Sequence, residues 1–191
     1  MKEVTFVTRN LGKVATPSTA LSSAGIAVVH YEATLDELQN DLTGPIALRK
    51  ACDGYRLTGK PTVALDAGFW IDQLNGFPGP YIENVLRKLG IAGILSLGKG
   101  RPVPCHFVES LAYFDGISEP VLFEEHIPGL LGIRPQETLR PKHWSALSTV
   151  FMPMGFNKTI AQMSVEETAD WRASREGSSH VCQFTRWTIQ N

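Results

Sequence analysis

Asp66 follows Val63-Ala64-Leu65, an apolar run of the kind that forms a buried strand. A carboxylate carried by such a strand needs a partner, because an unpaired buried charge is costly. It suits a metal ligand or a general base. The segment then closes on a Gly/Pro-dense turn, Leu74-Asn75-Gly76-Phe77-Pro78-Gly79-Pro80-Tyr81-Ile82. Its glycines and prolines restrict the backbone to a few shapes, a rigid wall beside the carboxylate. A second acidic position, Glu37, lies in a polar stretch with Asp36, Gln39 and Asp41, and Lys50 follows on the next predicted helix. Read alone, such a loop is solvated and such a lysine lies at the surface. Read with Asp66, the two carboxylates suit Mg²⁺, which takes a few carboxylates together with phosphate oxygens and water.

A third cluster is Thr8-Arg9-Asn10-Leu11-Gly12-Lys13. A hydroxyl, an amide and an ammonium beside a helix start make an anion site, since free backbone N–H groups point outward there. Phosphate is the natural ligand, although the glycine spacing is not that of a Walker A loop. The other reading is a capped turn with solvated charges. Lys13 and Lys50 together would neutralise a polyphosphate, and the whole set suits metal-assisted attack of water on phosphorus.

These residues need strands and helices to hold them. Val4–Val7 reads as a strand, Gly12–Ala24 as a helix and Ile26–His30 as a second strand, an opening β-loop-α-β order. Pro17 fits that helix only near its first turn. Pro45–Leu57 reads as a helix with proline at its start, and Thr62–Leu65 as the strand whose end delivers Asp66. Further on, Tyr81–Leu97 gives one or two short helices. Val103–Phe114 and Val121–Ile127 give paired strands turning at Asp115-Gly116. Leu130–Trp144 reads as loop and Val150-Phe151 as a short strand. Ser164-Val165-Glu166-Glu167 is a capping box that starts a helix. His180–Ile189 fits helix or strand. The expectation is one α/β domain over 1–191, with lobes of 1–100 plus 145–191 and of 101–144.

Composition narrows the class. The chain has 191 residues, 43% hydrophobic and 19% charged, with a formal net charge of -1. That is a globular composition without the basic field that nucleic-acid binding needs. Cys52, Cys105 and Cys182 fit neither a zinc site nor a disulfide framework. Their simplest state is reduced thiol in a cytoplasm. The apolar run of Met1–Asn10 is too short for a signal peptide, and no segment is long and apolar enough to span a bilayer.

Taken in order and spacing, Thr8–Lys13, the Glu37/Lys50 pair, Asp66 and the Leu74–Ile82 turn resemble the inosine triphosphate pyrophosphatase family. Gly132-Ile133-Arg134-Pro135, Phe151–Gly155 and Thr159–Met163 extend the likeness more faintly. The resemblance implies a long mixed central sheet flanked by helices, with two lobes around a cleft, and a homodimer. It implies Mg²⁺-dependent hydrolysis of inosine, deoxyinosine and xanthosine triphosphates to the monophosphate and pyrophosphate. By position, Thr8, Asn10 and Lys13 resemble the triphosphate grip, with Lys13 an electrostatic clamp for the chemistry, and Lys50 the second phosphate lysine. Glu37 and Asp66 resemble the metal-associated carboxylates, with Asp66 holding or activating the attacking water. The Gly76–Tyr81 turn resembles the one that shapes the cleft wall.

The chain also departs from that pattern. Leu65 stands where the family has an acidic residue, Ser148 where the base-reading segment has aspartate, and Thr168 where a lysine follows the capping box. The Ser-His-Arg triplet that reads the purine 6-oxo group is not at its usual distance. Arg172, Arg175 and His180 are its candidate substitutes, and Trp144 is a candidate to stack on a base. The departures leave two other readings: the same scaffold turned to another nucleotide, in a biosynthetic or phage pathway, or a nucleotide-binding protein with weak or no catalysis.

Overall fold

A computed structural model of the chain describes residues 3–9, 12–136 and 145–190, with only the backbone of 12, 13, 15 and 16. β1 (Glu3–Val7) carries β-branched residues and is buried from Val4 onward. α1 (Gly12–Ser23) follows and holds Pro17 within it, beyond the first turn to which the sequence confined it. β2 (Ala27–Tyr31) then returns parallel to β1, and α2 (Thr43–Thr58) leads to β3 (Thr62–Ile71), also parallel to β1. These are βαβ crossovers, the arrangement that places helices over a parallel sheet.

The sheet has seven strands in the order β2-β1-β3-β5-β6-β7, with the two-residue β4 (Pro78–Gly79) pairing with β3. β3/β4 and β6/β7 are antiparallel, so the sheet is mixed, as the family resemblance implied. α3 (Ile82–Leu97) is broken at Gly90. β5 (Val103–Phe114), β6 (Val121–Leu131) and β7 (Phe151–Pro153) follow, then α4 (Val165–Arg175) and α5 (His180–Gln190). The Ser164 capping box forms: Glu167 N–H donates to Ser164 Oγ at 3.1 Å and Ser164 N–H to Glu167 Oε2 at 2.8 Å. The chain end is helical because Val181, Phe184 and Trp187 recur at helical spacing and meet Tyr113 and Phe123.

Two expected boundaries move. β6 runs to Leu131, through part of the stretch read as loop. β3 does not end at Asp66 but continues to Ile71. Phe69 and Ile71, both fully buried, alternate into a core, and Phe69 and Trp70 pair with Gly79 and Pro78 of β4. Asp66 therefore stands inside a strand. The Gly76 position explains the turn beyond it: its φ is +87°, and a Cβ there would lie 2.7 Å from the Trp70 ring.

The chain gathers into two units. One holds the described residues of Met1–Ala67, Glu109–Glu125 and Glu176–Asn191, and the other Gly68–Val108 and His126–Arg175. The second is centred on Phe69, Phe107 and Phe151, with Phe107 4.8 Å from Phe69 and 4.7 Å from Phe151 between ring centroids. The first has a core of Val4, Phe6, Val63, Leu111, Phe123 and Phe184, and a second cluster whose buried members are all alanines: Ala47, Ala51, Ala64 and Ala112. Those alanines let α2 lie close on β3 and β5. Gly54 continues the stripe, and a Cβ on it would meet Thr62 Cγ2 at 2.7 Å and Val7 Cγ2 at 3.0 Å.

Gly54→Ala tests this close approach. In an exposed helix the change stabilises by up to about 1 kcal/mol. Here the stiff Thr62 and Val7 side chains must yield, and a loss of about 1–3 kcal/mol is expected in urea unfolding.

Candidate active site

α2 sets Lys50 opposite β3. The Lys50 ammonium donates to Asp66 Oδ1 and to Glu37 Oε1, each at 2.8 Å. The three differ in exposure: the side chains of Lys50 and Asp66 are 13% and 9% exposed, that of Glu37 73%. Asp66 is thus the buried partner and Glu37 the solvent-facing one, whose contact water screens more. Burial is the largest single influence on Lys50 and opposes its charge. The charge and hydrogen bond of Asp66, then those of Glu37, outweigh it together and hold the ammonium above the ordinary lysine value.

The start of α2 is fixed from below. Thr43 Oγ1 and Ser110 Oγ are 2.7 Å apart, and the Ser110 hydroxyl donates to Glu124 Oε1 at 2.7 Å. A Cβ on Gly44 would lie 2.9 Å from the same oxygen. A carboxylate against the first turn complements the helix dipole, which matters because Leu42 offers no side-chain cap.

Of the residues read from sequence, the structure brings together Glu37, Lys50 and Asp66. Thr8 lies just past β1, where its N–H donates to the Tyr31 carbonyl at 3.2 Å and its carbonyl accepts from His30 Nε2 at 2.7 Å. Lys13 is the second residue of α1, described by its backbone. Asn10 and Trp144 lie outside the described residues. Arg172 and Arg175 stand in the last turn of α4, in the second unit, with the Arg175 guanidinium 4.4 Å from the Trp171 ring centre. His180 opens α5 in the first unit and is 5% exposed. Its Nδ1 lies 3.3 Å from Glu125 Oε2 and 3.5 Å from Glu109 Oε2.

The departures also have places. Leu65 packs against the first unit's core, Ser148 is buried in the short turn of Ala146–Thr149, and the Thr168 hydroxyl donates back to the Ser164 carbonyl. Sequence reading passed over Glu109 and Glu125. A signal was present for one of them: Phe123, Glu125 and Ile127 alternate onto the buried face of β6, where a carboxylate is out of place without a partner.

The Lys50–Asp66 contact has a measurable strength. A double-mutant cycle with Lys50→Met and Asp66→Asn, read by urea unfolding, should give about 1–3 kcal/mol of coupling at pH 7. Lys50 is held above its unfolded value of about 10.4, so its contribution is complete below that pH and is lost as pH rises through the higher folded value. The coupling should therefore be the same at pH 9 as at pH 7. A coupling below 0.5 kcal/mol, taken as an approximate floor for residues in contact, would show that the contact holds nothing.

The chain is similar to known proteins in sequence and in fold. The Ham1 family profile matches residues 4–177. A "dITP/XTP pyrophosphatase" of Methanopyrus kandleri is 32% identical over 86% of this chain and 86% of its own. One from Thermococcus kodakarensis is 30% identical over 97% of each. Among solved structures, a HAM1 protein from Coxiella burnetii superposes with a TM-score of 0.77 at 18% identity, covering 100% of both chains. A nucleoside-triphosphatase, dITP/XTP pyrophosphatase, from Mycobacterium abscessus gives 0.73 at 24% identity over 91% of this chain and 94% of its own. At those identities the structures speak for the fold.

Proposed function

The chain belongs to the Ham1 family, and on that premise we propose that it hydrolyses deaminated purine nucleoside triphosphates, those of inosine, deoxyinosine and xanthosine, to the monophosphate and pyrophosphate. The observation that carries the reading is the convergence of Glu37 and Asp66 on one cationic point, the Lys50 ammonium. Two carboxylates that already share a single charge centre fit a divalent ion. Glu37 and Asp66 would hold Mg²⁺, whose chemistry there is to neutralise the triphosphate and polarise its phosphoryl oxygens.

The chain's own residues do the rest on this reading. Lys50, freed from the carboxylates, pairs with phosphate oxygens. Thr8, Asn10 and Lys13 grip the triphosphate at the start of α1, where backbone N–H groups favour anions. Asp66 takes the proton of the attacking water as its oxygen bonds to the α-phosphorus. The bond from that phosphorus to the oxygen bridging it to the β-phosphorus breaks, and pyrophosphate leaves. For the base, the candidates are Trp144, Arg172, Arg175 and His180. A homodimer is also proposed, and light scattering in solution should give twice the chain mass. No described helix is long and apolar enough to cross a membrane.

The test is a panel of nucleoside triphosphates with purified protein and Mg²⁺, identifying the phosphorus species released. Pyrophosphate from inosine, deoxyinosine or xanthosine triphosphate supports the reading. Turnover of other nucleotides alone, or binding without turnover, contradicts it. Asp66→Asn should abolish turnover, and Lys13→Ala should act mainly by weakening triphosphate binding. An Asp66→Asn enzyme with full activity would overturn the assignment of the base.

A further inference from the structure

The first unit also buries a second set of titratable groups, contributed by neighbouring strands and a helix. Glu109 comes from β5, Glu125 from β6 and His180 from the first position of α5, with side chains 22%, 2% and 6% exposed. One ligating atom from each lies within 4.8 Å of the others.

The spacing fits a metal better than a hydrogen bond. A carboxylate paired with an imidazolium closes to about 2.7–2.9 Å. His180 Nδ1 stands instead 3.3 Å from one carboxylate and 3.5 Å from the other. Ligands at about 2.1 Å around a tetrahedral ion are separated by about 3.4 Å, which matches both distances from His180 Nδ1.

The donor set narrows the kind of ion. One nitrogen and two carboxylate oxygens select a borderline ion of the Zn²⁺ or Co²⁺ type over Mg²⁺, which favours oxygen alone.

We propose that Glu109, Glu125 and His180 form a binding site for a divalent transition-metal ion, separate from the Glu37–Asp66 pair. The ion ties the start of α5 to β5 and β6. A His180 engaged in this way leaves base reading to the other candidates.

The test uses the full chain carrying Glu37→Gln and Asp66→Asn, which removes the other carboxylate pair and makes the outcome independent of the proposed hydrolysis. After stripping with chelator, this protein is dialysed against Zn²⁺ and, separately, Co²⁺. About one equivalent should remain bound, with a visible Co²⁺ ligand-field spectrum and a raised melting temperature. Adding Glu109→Gln or His180→Gln should weaken binding by more than the roughly 10–100-fold that loss of a mere outer partner costs. Glu109 is the more exposed carboxylate, so Glu109→Gln, with its fold checked by circular dichroism, carries the test if a change at Glu125 or His180 prevents folding. No retained ion, or retention that Glu109→Gln leaves unchanged, would overturn the site.

Discussion

The Lys50 ammonium, held between Asp66 and Glu37, is the contact on which the rest of the candidate site depends. Asp66 sits inside a buried strand and is 7% exposed. A carboxylate there needs a partner, and Lys50 on α2 supplies one. The same pairing keeps Lys50 protonated despite burial. Glu37, mostly exposed, completes the set loosely. One partner is buried and the other faces solvent, which suits a site that must admit a multiply charged ligand.

That contact rests on packing. Ala47, Ala51 and Gly54 on α2 pack with Ala64, Ala112 and Thr62 of the sheet. Lys50 lies beside this stripe, so the distance between helix and sheet decides whether its ammonium meets Asp66. The Thr43–Ser110–Glu124 hydrogen bonds fix the other end of the relation by holding the first turn of α2 against β5 and β6. Small residues and buried hydroxyls thus work for a charge pair they do not touch.

Much of this was legible in the sequence. The βαβ opening, the capping box at Ser164 and the Glu37–Lys50–Asp66 grouping followed from local chemistry and motif order. What escaped was long-range. Asp66 read as a strand end because Ala67 and Gly68 weaken the apolar pattern, yet pairing with Gly79 and Pro78 and the burial of Phe69 and Ile71 carry β3 onward. His180 read as a lone residue because its partners, Glu109 and Glu125, are 71 and 55 positions away (180 − 109 and 180 − 125) on strands whose alignment no local pattern specifies. His180–Ile189 fits helix or strand by pattern alone, and the contact of its Val181, Phe184 and Trp187 face with Tyr113 and Phe123 makes it helix.

On the proposed reading, Lys50 is a placeholder: it occupies the point between Glu37 and Asp66 that a divalent ion takes over when nucleotide arrives. A crystal structure with Mg²⁺ and a non-hydrolysable deoxyinosine triphosphate analogue tests this most directly. The account predicts the ion on Glu37 and Asp66, with the Lys50 ammonium moved from both carboxylates to a phosphate oxygen. Nucleotide bound with Lys50 still bridging the two carboxylates, and the ion held elsewhere, would contradict it.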